Sequence, residues 1–330
     1  MRRTLVVLVL LLAACGGSGG KGAASSPTTT AVPVKASAGC DAAPVAPGQT
    51  KVTTTSGGVE RWYLRNVPDA KGPRPLVVDF HGYSEGAEIH AKLSDFGAYG
   101  DEHGFATITP QGTGTPVRWD VALGSADLRF AGDLLDEAER TLCLDTNRIY
   151  VAGLSNGAFM TSSVACALAD RVAAAAPVAG IRDPQGCRPA RRIPILAIHG
   201  TADTFVAYDG GLGESALNLP APGGSGKTLR DIGAADQPKG PSVPEITAAW
   251  ARRDGCGATP TTTKVSADVD RLAYPCPKGM EVALLRVTGG GHAWPGSPLG
   301  PALTNVVGKT TETISANDLI WHFFEAHPLR

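Results

Sequence analysis

The strongest chemical signal in the chain is one serine set between glycines, Gly153-Leu154-Ser155-Asn156-Gly157. An apolar run at residues 149–152 precedes it, and Ala158-Phe159-Met160-Thr161 opens a helix-forming stretch after it. A Gly-x-Ser-x-Gly segment between strand and helix makes a sharp turn. Its glycines let strand and helix approach closely, and the hydroxyl stands above the sheet edge. A serine hydroxyl is a weak nucleophile until a base takes its proton. The best base is His292, in Gly289-Gly290-Gly291-His292-Ala293-Trp294-Pro295-Gly296, on a loop after the last expected strand. Such a base needs a carboxylate to fix its tautomer and stabilise the imidazolium. Asp203, in His199-Gly200-Thr201-Ala202-Asp203, fits; a plain Asx turn is its alternative role, and Asp209 is its nearest competitor. A developing oxyanion needs aimed donors. These are expected from the backbone N–H of Asn156 and from that of Tyr83, in His81-Gly82-Tyr83, where Gly82 allows the turn. Gly82 and Trp294 are expected to line the substrate pocket, and the Tyr83 ring either joins them or simply packs. The other histidines read as bystanders. His90 and His103 lie on or beside a helix and read as solvated, His81 and His199 as shaping turns, and His322 and His327 as packing or surface residues.

These residues need a scaffold. Short apolar runs at residues 76–80, 106–109, 149–152, 195–198 and 282–287 alternate with helix-length segments. Such runs suit strands buried on both faces of a parallel sheet. Helical spacing covers residues 127–142, with Asp127 as a candidate cap, and residues 245–253 and 315–324. Residues 51–55 and 60–65 read as a hairpin leading into the sheet. The chain order Ser155, Asp203, His292 is that of the α/β-hydrolases. The expected fold class is therefore α/β, an α/β-hydrolase fold with a mostly parallel central sheet and helices on both faces. Residues 209–243 are rich in glycine and proline and read as a long loop, either facing substrate or a surface insertion.

The N-terminus carries an export pattern. Arg2 and Arg3 precede an apolar run at residues 5–12, which is too short for a bilayer span of roughly 20 residues. Leu12-Ala13-Ala14-Cys15 looks like a bacterial lipobox, with Cys15 as the lipidated residue; ordinary secretion is the alternative. The expected organisation is a lipoprotein signal peptide at residues 1–15, a flexible linker at 16–38 and a catalytic domain at 39–330. The six remaining cysteines suggest disulfides in an oxidising compartment; 15 pairings are open, of which locality favours Cys166–Cys187 and Cys256–Cys276, leaving Cys40 with Cys143. No Cys-x-x-Cys pair suggests zinc, and no dinucleotide, phosphate-loop or His-Glu-x-x-His motif appears, so neither metal nor cofactor is expected. The 330 residues carry 30 basic and 31 acidic side chains, and this balance removes the electrostatic case for a nucleic-acid partner. The expected location is the outer face of the bacterial membrane, reached through the lipid on Cys15, without an obligate protein partner.

Several segments together resemble a known family. Leu144-Asp145-Thr146-Asn147-Arg148-Ile149-Tyr150-Val151 runs into the serine motif, and Ala176-Pro177-Val178-Ala179-Gly180 follows. With the Asp203 and His292 segments, these resemble the polyhydroxybutyrate depolymerase and feruloyl esterase-like family of secreted α/β-hydrolases. The Ser37-Ala38-Gly39-Cys40 start resembles its secreted members, and the lipobox is similar to its actinobacterial lipoproteins. The resemblance implies hydrolysis of carboxylic esters by Ser155, Asp203 and His292 through an acyl-enzyme. The implied substrate is a hydroxycinnamoyl (feruloyl), short-chain acyl or polyhydroxyalkanoate ester, small or polymeric. No separate polymer- or carbohydrate-binding module is recognisable. The rival expectations are a serine peptidase of the same fold and a non-catalytic ligand-binding lipoprotein.

Overall fold

The sheet starts with a hairpin, β1 (Gly48–Ser56) against β2 (Val59–Val67), turned by Gly57 and Gly58. Both glycines have positive φ, 57° and 80°, which a tight two-residue turn between twisted strands requires. The computed structural model describes residues 32–330, so the expected signal peptide, the lipobox Cys15 and linker residues 16–31 lie outside the described residues. The rest of the expected linker is ordered against the domain: the Lys35 N–H donates to Asp145 Oδ1 over 3.0 Å, and the Ser37 hydroxyl donates to the Leu142 carbonyl over 2.6 Å.

The remaining strands are β3 (Arg74–Phe80), β4 (Ala106–Pro110), β5 (Leu144–Leu154), β6 (Ala174–Val178), β7 (Ile195–Gly200), β8 (Thr261–Lys264), β9 (Val269–Ala273) and β10 (Val282–Val287). The ten lie in the order β1-β2-β4-β3-β5-β6-β7-β10-β9-β8. From β4 through β10 neighbours run parallel, and antiparallel strands flank both sides. β6 is absent from the apolar runs read in the sequence because its alanines and Pro177 carry little strand signal.

Alternate residues of the central strands feed two separate cores. Leu76, Val78, Ile149, Val151, Ile195 and Ala197 face one; Val77, Tyr150, Ala152, Leu196 and Ile198 face the other. This is the period-two pattern of a sheet buried on both sides. The helices are α1 (Ala87–Ser94), α2 (Phe96–His103), α3 (Ala126–Thr141), α4 (Asn156–Ala167), α5 (Glu214–Leu217), α6 (Val243–Arg253), α7 (Gly300–Val307) and α8 (Ala316–Ala326). α3, α4 and α6 cover the first core with Phe130, Met160 and Trp250, and α1, α2 and α8 cover the second with Leu93, Phe96 and Phe324. None of the described helices is long and apolar enough to cross a membrane.

Local chemistry explains the helix starts. The Ser125 hydroxyl caps α3 by accepting from the Leu128 N–H. Asp127, the cap expected from sequence, instead lies inside the first turn, where it pairs with buried Arg61 at 2.8 Å. Ser242 and Glu245 form a capping box, so α6 begins at Val243, two residues before the expected start. Three disulfides join Cys40 to Cys143, Cys166 of α4 to Cys187 in the segment after β6, and Cys256 to Cys276.

Candidate active site

The expected functional residues collect where the parallel strands end. Gly82 and Tyr83 follow β3, Ser155 follows β5, Asp203 follows β7 and His292 follows β10. This carboxyl edge is where open α/β sheets place their ligands.

Ser155 sits at φ 58° and ψ −118°, a strained conformation for a residue with a side chain. Its neighbours enforce it. The Ser155 N–H donates to the Val178 carbonyl over 2.9 Å, and α4 starts at the next residue. A Cβ on Gly157 would run into the Phe80 carbonyl, and one on Gly153 would lie 2.7 Å from that same oxygen. The two motif glycines therefore let β3, β5 and α4 meet around the serine.

Asp203 is buried and accepts three hydrogen bonds. Its Oδ1 accepts from the Phe205 N–H over 2.8 Å and the Val206 N–H over 2.9 Å, so the Asx turn is present as well. Its Oδ2 accepts from His292 Nδ1 over 2.8 Å, and His199 Nε2 approaches the same oxygen to 3.3 Å. Burial alone would raise the carboxyl; the hydrogen bonds from His199 and His292 outweigh it and hold the group well below the usual carboxylate range. A carboxylate only accepts, so Nδ1 of His292 carries the proton and Nε2 is left as the basic nitrogen. The Phe205 ring stacks on His292 with centroids 4.8 Å apart. Asp209 is exposed and makes no such contact.

Ser155 and His292 line one cavity of about 400 Å³. Among the described residues no hydrogen bond joins the serine hydroxyl to the imidazole; such bonds commonly tighten only with substrate bound. Gly82, Tyr83 and Trp294 line the same cavity, and its wall is otherwise mostly apolar, with Ile89, Leu93, Leu219, Leu303 and Val306. Leu219 belongs to the 209–243 segment, so part of that loop faces the cavity. The Tyr83 hydroxyl donates to the Pro220 carbonyl of the same loop over 2.7 Å. The Asn156 side chain clamps both polar groups of the Trp119 backbone, at 2.7 and 3.2 Å. The backbone amides of Tyr83 and Asn156 have no acceptor among the described residues.

No protein-family profile matches the chain. Among curated proteins, it is 30% identical over 229 residues to feruloyl esterase B of Piromyces equi, covering 66% of this chain and 39% of that protein. It is 29% identical over 318 residues to the NocK protein of Nocardia uniformis subsp. tsuyamanensis, which carries an esterase name, covering 88% of this chain and 86% of that one. It is 28% identical over 238 residues to poly(3-hydroxyalkanoate) depolymerase C of Paucimonas lemoignei, covering 68% and 56%. The chain is a homologue of these enzymes. It spans well under two thirds of the length of the first and less than two thirds of the third. Among solved structures, the acetyl xylan esterase from Aspergillus awamori superposes with a TM-score of 0.57 at 14% identity, over 84% of this chain and 99% of that one. The shared fold is that of the α/β-hydrolases.

In this esterase homologue, sequence reading misplaced several histidines. His90 is fully buried rather than solvated, because Asp79 Oδ1 lies 2.9 Å from its Nε2 and Glu85 Oε1 3.1 Å from its Nδ1. His81 is more than a turn residue. Its Nδ1–H donates to the Gly82 carbonyl over 2.7 Å, and its Nε2 accepts from the Gly112 N–H over 2.9 Å. Burial lowers its pKa to about 4, so the ring is neutral. His199 likewise holds Asp203 and the Val206 carbonyl. One signal was available: Asp79 interrupts the apolar run of β3, and a carboxylate in a buried strand calls for a cationic partner. His103 is exposed, stacked on Tyr99.

Proposed function

We propose that this chain is a carboxylic-ester hydrolase that works through an acyl-enzyme on Ser155. The observation that carries the reading is the single cavity lined by Ser155, His292 and Tyr83, with Asp203 hydrogen-bonded to the imidazole. Its homologues' names favour ester substrates.

In the proposed cycle, Ser155 Oγ attacks the ester carbonyl while His292 Nε2 takes the hydroxyl proton. The carbonyl π electrons move onto oxygen, where the Tyr83 and Asn156 amides stabilise the charge. Collapse breaks the ester C–O bond, and the imidazolium gives its proton to the departing alcohol. Water then attacks the acyl-enzyme with His292 again as base, and the acid leaves as Ser155 regains its proton. Asp203 stays ionised throughout and holds the imidazole in register. The apolar wall suits an ester with a sizeable apolar part, such as a hydroxycinnamoyl or alkanoyl group, more than a bare acetyl group on a polar chain.

The disulfides support export to an oxidising compartment, and the Cys15 lipobox supports attachment there through a lipid. The proposed catalytic domain takes in the last residues of the expected linker as well, since Lys35 and Ser37 bond to it.

The test is steady-state hydrolysis of p-nitrophenyl esters of increasing acyl length and of methyl ferulate, beside Ser155→Ala. The proposal expects turnover that rises with the apolar acyl group and is abolished in the variant. Preferential cleavage of aminoacyl amides would point to a peptidase instead, and no turnover of any substrate would refute an enzyme of this type.

A further inference from the structure

We propose that Glu85 is a positioning residue for the oxyanion-stabilising loop, and that His90 and Asp79 exist to hold it there; the inference rests on the ester-hydrolase reading above. Gly82 lies between Glu85 and His81 in the hydrogen-bond network. Its N–H donates to Glu85 Oε2 over 2.5 Å, and its carbonyl accepts from His81 Nδ1 over 2.7 Å. Both polar groups of this residue are therefore held, and Glu85 itself borders the cavity beside it. The Gly82 carbonyl and the Tyr83 N–H belong to one planar trans peptide and point in opposite directions. Fixing the carbonyl on His81 fixes the opposite heading of the Tyr83 amide, one of the two amides without an acceptor. Gly82 also packs on the nucleophile: a Cβ there would lie 3.6 Å from Ser155 Cβ and 2.9 Å from Glu85 Oε2.

A carboxylate this close to a developing oxyanion would oppose it unless its charge were offset. His90 supplies the offset. Its ring bridges Glu85 at 3.1 Å and Asp79 at 2.9 Å, inside the protein and under the edge of Trp294. The titratable groups facing the pair are Asp79 from β3 and His81 from the loop, and the latter is neutral. Burial alone would strip the His90 proton; the two carboxylates outweigh it and push the pKa up to about 10. The imidazolium therefore persists at neutral pH, and Glu85 stays an anion that accepts from Gly82. Burying three charged groups together is not by itself a stabilising arrangement, since apolar side chains of similar volume often serve as well. Aiming an amide gives the cluster a role.

The experiment uses the purified chain with a p-nitrophenyl ester, active-site titration to count competent molecules, and a trifluoromethyl ketone that forms a tetrahedral adduct. Glu85→Ala and the volume-filling Glu85→Met both remove the acceptor, and Glu85→Gln restores a neutral one. Losing an oxyanion donor outright costs ~10²–10³ in kcat, so mis-aiming one is expected to cost at least about 10-fold. The expected result is that loss in kcat per titrated site, KM within about twofold, a parallel rise in Ki for the ketone, and partial recovery in Glu85→Gln. If Glu85→Ala fails to fold, Glu85→Met carries the same comparison. A folded variant lacking the acceptor that keeps wild-type kcat and Ki overturns the inference alone. A wild type that turns over no ester and binds no ketone overturns the ester-hydrolase reading, and the inference with it.

Discussion

His292 Nδ1 donates to Asp203 Oδ2 over 2.8 Å, although 89 positions of chain separate the two residues. The parallel strands β7 and β10 make this contact, since they are direct neighbours and both side chains leave from their carboxyl ends. Asp203→Asn presents an amide whose N–H₂ can face Nδ1 and favour the wrong tautomer. The expected loss is ~10³–10⁴-fold in kcat with little change in KM, by analogy with serine triads in general. Steady-state kinetics check it, and a loss under about 10-fold would remove Asp203 from the proposed mechanism.

The buried His90 makes stability depend on alkaline pH. Its pKa is raised from an ordinary 6.5 to about 10, so the folded state holds a proton that the unfolded chain releases. The stabilisation is complete below about pH 6.5 and is lost as pH rises through about 10, on the order of a few kcal/mol. Urea unfolding from pH 6 to 10 should show the decline, and His90→Gln should flatten it. An unchanged slope in the variant would contradict the assignment.

Asp254 is expected to act at lower pH. Burial, the dominant influence, raises its carboxyl to about 7 against the lowering effect of the Ile193 N–H and nearby arginines. Here too the folded state binds the proton more tightly, so stability falls as pH climbs from about 4 to about 7 and then levels. Asp254→Asn lacks this penalty. Its stability relative to wild type should grow over that interval and plateau above it, again by up to a few kcal/mol. Parallel unfolding curves at every pH would contradict this.

The Cys40–Cys143 bridge closes 103 residues and fastens the start of the described chain beside β5. Removing it with Cys40→Ala and Cys143→Ala together should cost ~2–5 kcal/mol. Denaturant unfolding measures the loss, and a cost below about 1 kcal/mol would show that the hydrogen bonds of Ser37 already do the fastening.

What the sequence disclosed follows from how local each feature is. Strand, turn and helix around Ser155 occupy consecutive residues, so glycine spacing and an apolar run suffice to read them. The other central parallel strands were equally legible because burial on both faces leaves unbroken apolar runs, whereas alanine-rich β6 (Ala174–Val178) carries too little strand signal to be read. β8 was not, since Thr261–Lys264 is exposed along its length and carries no core pattern. His90 failed for another reason. α1 alternates polar and apolar residues, and nothing within it reveals that Asp79 and Glu85 converge on the imidazole. Charge pairing across elements is a tertiary property, and only the odd carboxylate inside β3 hinted at it. The 209–243 segment reads as loop for lack of periodicity, yet Leu219 and Pro220 reach the cavity wall and Tyr83 through folding alone.

The central claim is that Ser155 is an activated nucleophile. Its most direct test is to treat the chain with a fluorophosphonate, digest it and locate the adduct by mass spectrometry. The account predicts one stoichiometric adduct on Ser155, absent from Ser155→Ala and formed far more slowly in a folded His292→Ala variant. A folded wild type that takes no label, or takes it at another residue, would contradict it.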